Sequence, residues 1–190
     1  MPSLWPRDFG PNAGTNGQAA VRIDFKNSTD YFKWLLGGHD GAVPGWMPQS
    51  RELDYRKLTG ASVVSCSTNG SLTAENNLWT VAVNVRDDMD DSIPILITRN
   101  IDASSLASRT TEQSLKAKSL RFDPAWKTPF GRKGFVLIRK GGAIFKARSK
   151  YMTWGIVYQN QVFDTSRTPD GRTAPPVKYL TPTREVMPGE

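Results

Sequence analysis

The amino-acid sequence predicts an α+β fold: a small antiparallel sheet packed on short helices, with long irregular loops. Three observations carry this reading. The 190 residues include 16 Gly and 13 Pro, more than a helical bundle tolerates, which favours short strands joined by turns. Residues 79–86 alternate with the period of two of a half-buried strand, the isoleucines of 93–97 alternate too, and 134–150 sets two strand-length runs about a Gly141-Gly142 turn. One stretch near residue 30 places apolar residues at helical spacing behind a capping signal. With 38% hydrophobic and 23% charged residues the chain has the composition of a folded protein, and its length suits one main core.

The elements follow in order. Residues 1–20 hold three Pro and three Gly and read as an extended arm. Asn27-Ser28-Thr29 then offers an N-cap with Asp30 in the first turn. Tyr31, Phe32, Trp34, Leu35 and Leu36 form an apolar face, and Gly37-Gly38 stops a helix predicted over 28–36. The Gly and Pro spacing of 39–49 forbids regular structure, and a second, weak helix is predicted over 50–58. The run ASVVSCS at 61–67 reads as a strand closed by a turn at Thr68-Asn69-Gly70.

Trp79, Val81, Val83 and Val85 alternate with Thr80, Ala82, Asn84 and Arg86, the pattern of a strand with one buried face. Across an acidic tip, Ile93, Ile95 and Ile97 alternate again, so 79–98 reads as an antiparallel hairpin. Pro94 has no N–H to donate and belongs at a strand start or a sheet edge. Residues 102–120, rich in Ser, Thr and Lys, form a long excursion with a helical turn. A second hairpin turns at Gly141-Gly142. Pairing Lys140 with Ala143 puts Val136, Ile138, Phe145 and Ala147 on a core face, and Arg139, Lys146, Arg148 and Lys150 on a solvated face as a basic comb. WGIVYQNQVFD (154–164) reads as a final strand or hairpin, and 166–190 as a Pro-rich tail, extended or disordered. The predicted organisation is an arm at 1–20, a folded unit at 21–165 and a tail at 166–190.

Composition narrows the function classes. No apolar run approaches the ~20 residues of a membrane-spanning helix. A single cysteine, Cys66, and a single histidine, His39, exclude an internal disulfide and a Cys/His zinc site, so neither metal nor cofactor is expected. Cys66 reads as a small buried apolar residue, and His39 as part of a local turn. The net charge of +7 is regional: residues 109–150 carry 12 basic and 2 acidic side chains, a local charge of +10. Such a segment attracts a polyanion: nucleic acid, an acidic glycan or an anionic membrane surface. Arg139, Lys146, Arg148 and Lys150 are its candidate binding residues. Trp126, Phe130, Tyr151 and Trp154 interleave with the cations, either as stacking surfaces or as core. Gly131-Arg132-Lys133-Gly134 and Lys140-Gly141-Gly142 match neither a Walker loop nor a dinucleotide fingerprint and read as ordinary turns.

Two acidic features bear on catalysis. Asp87, Asp88, Asp90 and Asp91 lack the loop glycine and distal glutamate of an EF-hand, so they read as a solvated hairpin tip rather than a calcium loop. Val162-Phe163-Asp164-Thr165-Ser166 resembles the apolar-apolar-Asp-Thr/Ser-Gly signature of pepsin-like aspartic peptidases, in which two aspartates share a proton and activate water, although Ser166 stands where that family has glycine. The enzymatic alternative pairs Asp164 with a carboxylate of the 87–91 cluster or of a second copy; the simpler reading is a β-turn beginning at Asp164.

The order of segments, NSTDYFKWLL, ENNLWTVAVNV, an acidic connection, IPILITRN and TPFGRKGFVLIRKGGAIFKAR, resembles the soluble part of type II secretion pseudopilins and type IV pilin-like proteins of the kind found in Verrucomicrobia, over residues 25–150. The resemblance implies a pilin-like α+β domain acting as a non-enzymatic structural subunit of a secretion or pilus-type assembly. It implies other pilin-like subunits, or the chain itself, as partners. It also implies a periplasmic or cell-envelope location, with anchoring through an N-terminal apolar helix that this chain does not contain.

Overall fold

The computed structural model describes residues 25–35, 72–117, 119–127 and 129–188. The expected arm at 1–20, the loop at 39–49, the helix at 50–58 and the strand and turn at 61–70, with His39 and Cys66, lie outside the described residues. Helix α1 (Ser28–Leu35) is followed by β1 (Trp79–Val83), β2 (Pro94–Thr98), the 3-10 turn η1 (Ala103–Ser105) and α2 (Glu112–Ala117). Then come β3 (Gly134–Arg139), β4 (Ile144–Arg148), η2 (Ser149–Tyr151), α3 (Trp154–Val157), β5 (Lys178–Leu180) and β6 (Glu185–Val186). The strands form one six-stranded sheet in the order β4-β3-β2-β1-β5-β6, every neighbouring pair antiparallel. The expected small α+β fold built on an antiparallel sheet is present.

An eight-residue helix is too short to persist alone, so α1 depends on its cap and its packing. Asn27 Oδ1 accepts from the Asp30 N–H at 2.8 Å, and the Asn27 amide donates back to the Asp30 carboxylate at 2.7 Å. Ser28 Oγ donates to the Trp79 carbonyl at 2.6 Å. Tyr31 and Phe32 bury themselves against Trp79, Val81, Val83 and Leu180, making a core on one face of the sheet. The larger core covers the opposite face, where Ala82, Ile97, Phe135, Leu137 and Tyr179 meet Leu106, Trp154, Val157 and Tyr158.

β1 is therefore buried on both faces, not on one as its alternation suggests. Its neighbour Asn84 adopts a left-handed conformation (φ 64°), which asparagine tolerates better than most residues, and Val85 packs in the Ala82 core rather than with Val81 and Val83. The 79–98 hairpin forms as expected, with Trp79 opposite Thr98 and Val81 opposite Leu96. Pro94 is the first residue of β2, at a register irregularity, which spares the ladder its missing N–H. The 102–120 excursion holds η1 and α2.

Three expectations are corrected. The second hairpin pairs Arg139 with Ala143, because the Arg139 N–H donates to the Ala143 carbonyl at 3.0 Å and Ile138 faces Ile144. The turn is thus Lys140-Gly141-Gly142, with Gly142 left-handed at φ 84°. This one-residue slip turns β3 over relative to the Lys140–Ala143 pairing. Phe135, Leu137 and Arg139 point with Phe145 and Ala147 into the large core, and Val136 faces the α1 side. The β1–β2 connection imposes the slip: Lys140 N–H donates to the Ile93 carbonyl at 2.9 Å, Gly141 N–H to the Asp91 carbonyl at 3.0 Å, and Lys140 Nζ lies 2.9 Å from Asp91 Oδ1.

The 154–164 segment is not a strand or hairpin. It begins with the short helix α3, capped by Thr153 Oγ1, and left-handed Gln159 (φ 55°) and Asn160 (φ 57°) stop it. Trp154, Val157 and Tyr158 are spaced for a helical face, and all three are buried. The 166–190 segment is not simply an extended tail: β5 lies inside the sheet beside β1, with Val81 opposite Leu180. Val177, Tyr179 and Leu180 are at most 1% exposed. Pro175, Pro176 and Pro182 flank β5 without entering it, so they terminate the strand instead of preventing it.

Candidate functional site

Five cations of the +10 segment, Lys127, Arg132, Lys133, Lys146 and Arg148, gather beside the edge strand β4. β3 begins at Gly134, opposite Arg148, and the preceding loop folds across this end of the ribbon. Asn100, fully buried, pins that loop by donating its side-chain amide to the carbonyls of Gly131 and Gly134, both at 2.8 Å. The Lys133 N–H donates to the Phe130 carbonyl at 3.0 Å, and Gly131 takes the positive φ of 55° that the turn needs. Ser149 N–H donates to the Lys133 carbonyl at 3.1 Å, tying the loop to the end of β4. Gly134 is required sterically, since a Cβ there would lie 2.5 Å from the Ala147 carbonyl oxygen.

Between loop and strand lies a groove of about 710 Å³ lined by Lys127, Phe130, Arg132, Lys133, Lys146 and Arg148, together with glycine, alanine and proline backbone. All five cationic residues are exposed, and among the described residues none forms an ion pair with a carboxylate. None of the described lining residues is acidic. Lys146 Nζ stands 6.0 Å from the centroid of the half-buried Phe130 ring. Just past β4, Lys150 Nζ stands 4.9 Å from the ring centroid of Tyr151, which is 45% exposed.

The comb expected from alternation is therefore partly right and partly corrected. Lys146, Arg148 and Lys150 are exposed. Arg139 is 5% exposed and belongs to the core: its Nε donates to the Val157 carbonyl at 3.2 Å, and a terminal guanidinium nitrogen donates to the Ile156 carbonyl at 3.0 Å. It caps the C-terminal end of α3, where carbonyls lack helical partners, and burial lowers its pKa. Of the aromatics, Trp154 is core, donating its indole N–H to the Ser105 carbonyl at 3.0 Å, and Trp126 lies 4.2 Å from the Arg99 guanidinium. Lys127, Arg132 and Lys133 are groove residues that the sequence reading passed over. The signal in the sequence is the Gly-Arg-Lys-Gly turn inside the most basic segment, which matches no phosphate-loop motif.

The acidic candidates are engaged in local structure. Asp88 pairs with Arg86 at 3.0 Å, Asp91 with Lys140 at 2.9 Å, and Asp90 Oδ1 accepts from the Ser92 N–H at 2.7 Å; Asp87 is exposed at the tip. Among the described residues no group of three or more carboxylate, histidine or cysteine side chains could hold a metal ion. Asp164 opens a turn, its Oδ1 accepting from Ser166 Oγ at 2.5 Å and Ser166 N–H at 2.9 Å. The Ser166 hydroxyl, with Arg109 and Arg167 nearby, holds this carboxyl below its ordinary pKa despite some desolvation. A shared-proton pair requires the opposite shift in one member. Arg86 links the tip to this turn, donating to the carbonyls of Thr165 at 3.0 Å and Arg167 at 2.6 Å. The chain matches no family model, no curated protein and no solved structure.

Proposed function

We propose that this chain is a non-enzymatic binding module that holds a polyanion in the groove that Lys127 and the 129–133 loop form with β4. One observation carries the reading: five exposed cations, none with a carboxylate partner among the described residues, line a single concavity with no acidic residue among its described lining. Like charges held together in this way repel one another and favour an anionic ligand that neutralises them. The test is binding of heparin and of oligonucleotides at about 50 and about 200 mM salt. For a flexible strand, five phosphate contacts at about 0.7 each give a log–log slope of about −3.5, a loss of roughly 130-fold over that range. Lys146→Ala with Arg148→Ala removes two contacts and flattens the slope to about −2. A salt-insensitive affinity, or one the double variant leaves alone, removes the proposal.

A second reading, a pilin-like subunit of a periplasmic or cell-envelope assembly, rests on the order of segments and on the packing of α1 against β1. Its test is association. Recovery from native cells in a complex with copies of itself or with other pilin-like subunits supports it, and a monomer free of such partners counts against it.

A further inference from the structure

We infer that the polyanion is a single-stranded nucleic acid whose bases stack beside the cations. This rests on the groove reading above and adds the chemistry of the ligand. The site pairs cations with aromatic rings twice: Lys146 with Phe130 inside the groove, and Lys150 with Tyr151 just beyond it. Tyr151 is 45% exposed, whereas Tyr31, Tyr158 and Tyr179 spend their rings in the two cores, so its ring is offered to solvent beside a lysine with no carboxylate partner among the described residues. Every nucleobase has a π-face that stacks on an aromatic ring, so charge for the backbone plus rings for the bases is the recognition chemistry of a single strand. Arg132 and Arg148 add planar forks that grip phosphate oxygens in pairs. A sulfated glycan presents charge without a π-face, so it can lay only C–H groups, crowded by sulfates, on the rings. A duplex keeps its bases stacked inside a rigid, convex cylinder and meets the rim of a concave site. A membrane surface presents its charges in a plane, which matches a flat patch better than a groove.

The experiment compares, with the unaltered protein, an oligothymidylate of about twelve nucleotides, an abasic deoxyribose-phosphate strand of equal length, the corresponding duplex and a heparin fragment of equal charge, each by fluorescence anisotropy at two salt concentrations. The base-bearing strand is expected to bind at least about tenfold more tightly than the abasic strand. Tyr151→Ser, at an exposed position, and Phe130→Leu should shrink that ratio. Equal binding of the base-bearing and abasic strands overturns the inference, as does tighter binding of duplex or heparin. In those cases salt-sensitive binding still upholds the groove reading. Salt-insensitive or absent binding of all four removes both.

Discussion

Replacing Arg139 by alanine tests the register on which the basic face depends. The guanidinium donates to the carbonyls of Ile156 and Val157 at 3.0 and 3.2 Å and lies 5.2 Å from the centroid of the Phe145 ring. Hydrogen bonds from a charged donor are worth about 1.5–3 kcal/mol each, and the two carbonyls at the end of α3 would lose this buried donor. Against this stands the cost of burying the charge, the same effect that lowers the Arg139 pKa. The expected net loss is about 2–4 kcal/mol, or roughly 4–16 °C in Tm for a chain of this size. Lys146→Ala, on the exposed face of β4, should stay within about 0.5 kcal/mol. Thermal and urea unfolding followed by circular dichroism, with an unchanged denaturant slope, measures both. If Arg139→Ala is as mild as Lys146→Ala, Arg139 is in water, Lys140 pairs with Ala143, and the register argued above is wrong.

Two further predictions concern the backbone and acid. Gly134→Ala should cost about 1–3 kcal/mol, because its Cβ would come 2.5 Å from a strand carbonyl, and it should weaken polyanion binding by displacing β4. Gly142→Ala meets no atom within 4 Å and bears only the strain of φ 84°, about 1 kcal/mol; the reverse order in unfolding experiments would contradict the strand contact. Asp102 and Asp164 both titrate below the ordinary carboxylate range. At Asp102 burial pushes the pKa up, but hydrogen bonds from Ser104 and Arg121 outweigh it; at Asp164 the Ser166 hydroxyl leads. With the folded pKa below the unfolded one, the unfolded chain binds more protons in acid, so this stability is present above about pH 4 and is lost as pH falls through the lower folded values. Urea midpoints should therefore drop below about pH 4, and Asp164→Asn should make the drop shallower; an equal drop in the variant would show that Asp164 contributes nothing.

How far the sequence could be read differs element by element. The cap and aromatic face of α1 were legible because Asn27, Asp30, Tyr31 and Phe32 act within one turn of each other. The two hairpins were legible because strand-length apolar runs flank a polar tip at 87–92 and a glycine turn at 141–142. At 154–157 the apolar content was visible but its period was misread, since Val157 and Tyr158 suit a strand until the Thr153 cap and the left-handed Gln159 and Asn160 are seen. The prolines of 166–190 concealed β5, whose place is secured by pairing with β1, nearly a hundred residues earlier. In the candidate site, Lys146, Arg148 and Lys150 could be read from alternation. Lys127, Arg132 and Lys133 could not be placed, because a loop has no period to show which way its side chains face.

The amino-acid order alone decided where the first helix starts, that 79–98 and 134–148 form ribbons, and that positive charge concentrates between residues 109 and 150, because each of these depends on neighbours a few positions apart. The tertiary structure alone decided which face of β3 is interior, that Arg139 is a buried cap, and that the loop cations converge with those of β4. Those outcomes depend on contacts between distant segments: Asp91 and Ile93 grip a turn at Lys140 that lies 49 residues beyond Asp91, and Asn100 holds the loop that closes the groove. A one-residue choice of register, invisible to local preference, exchanges the inside and outside of a strand.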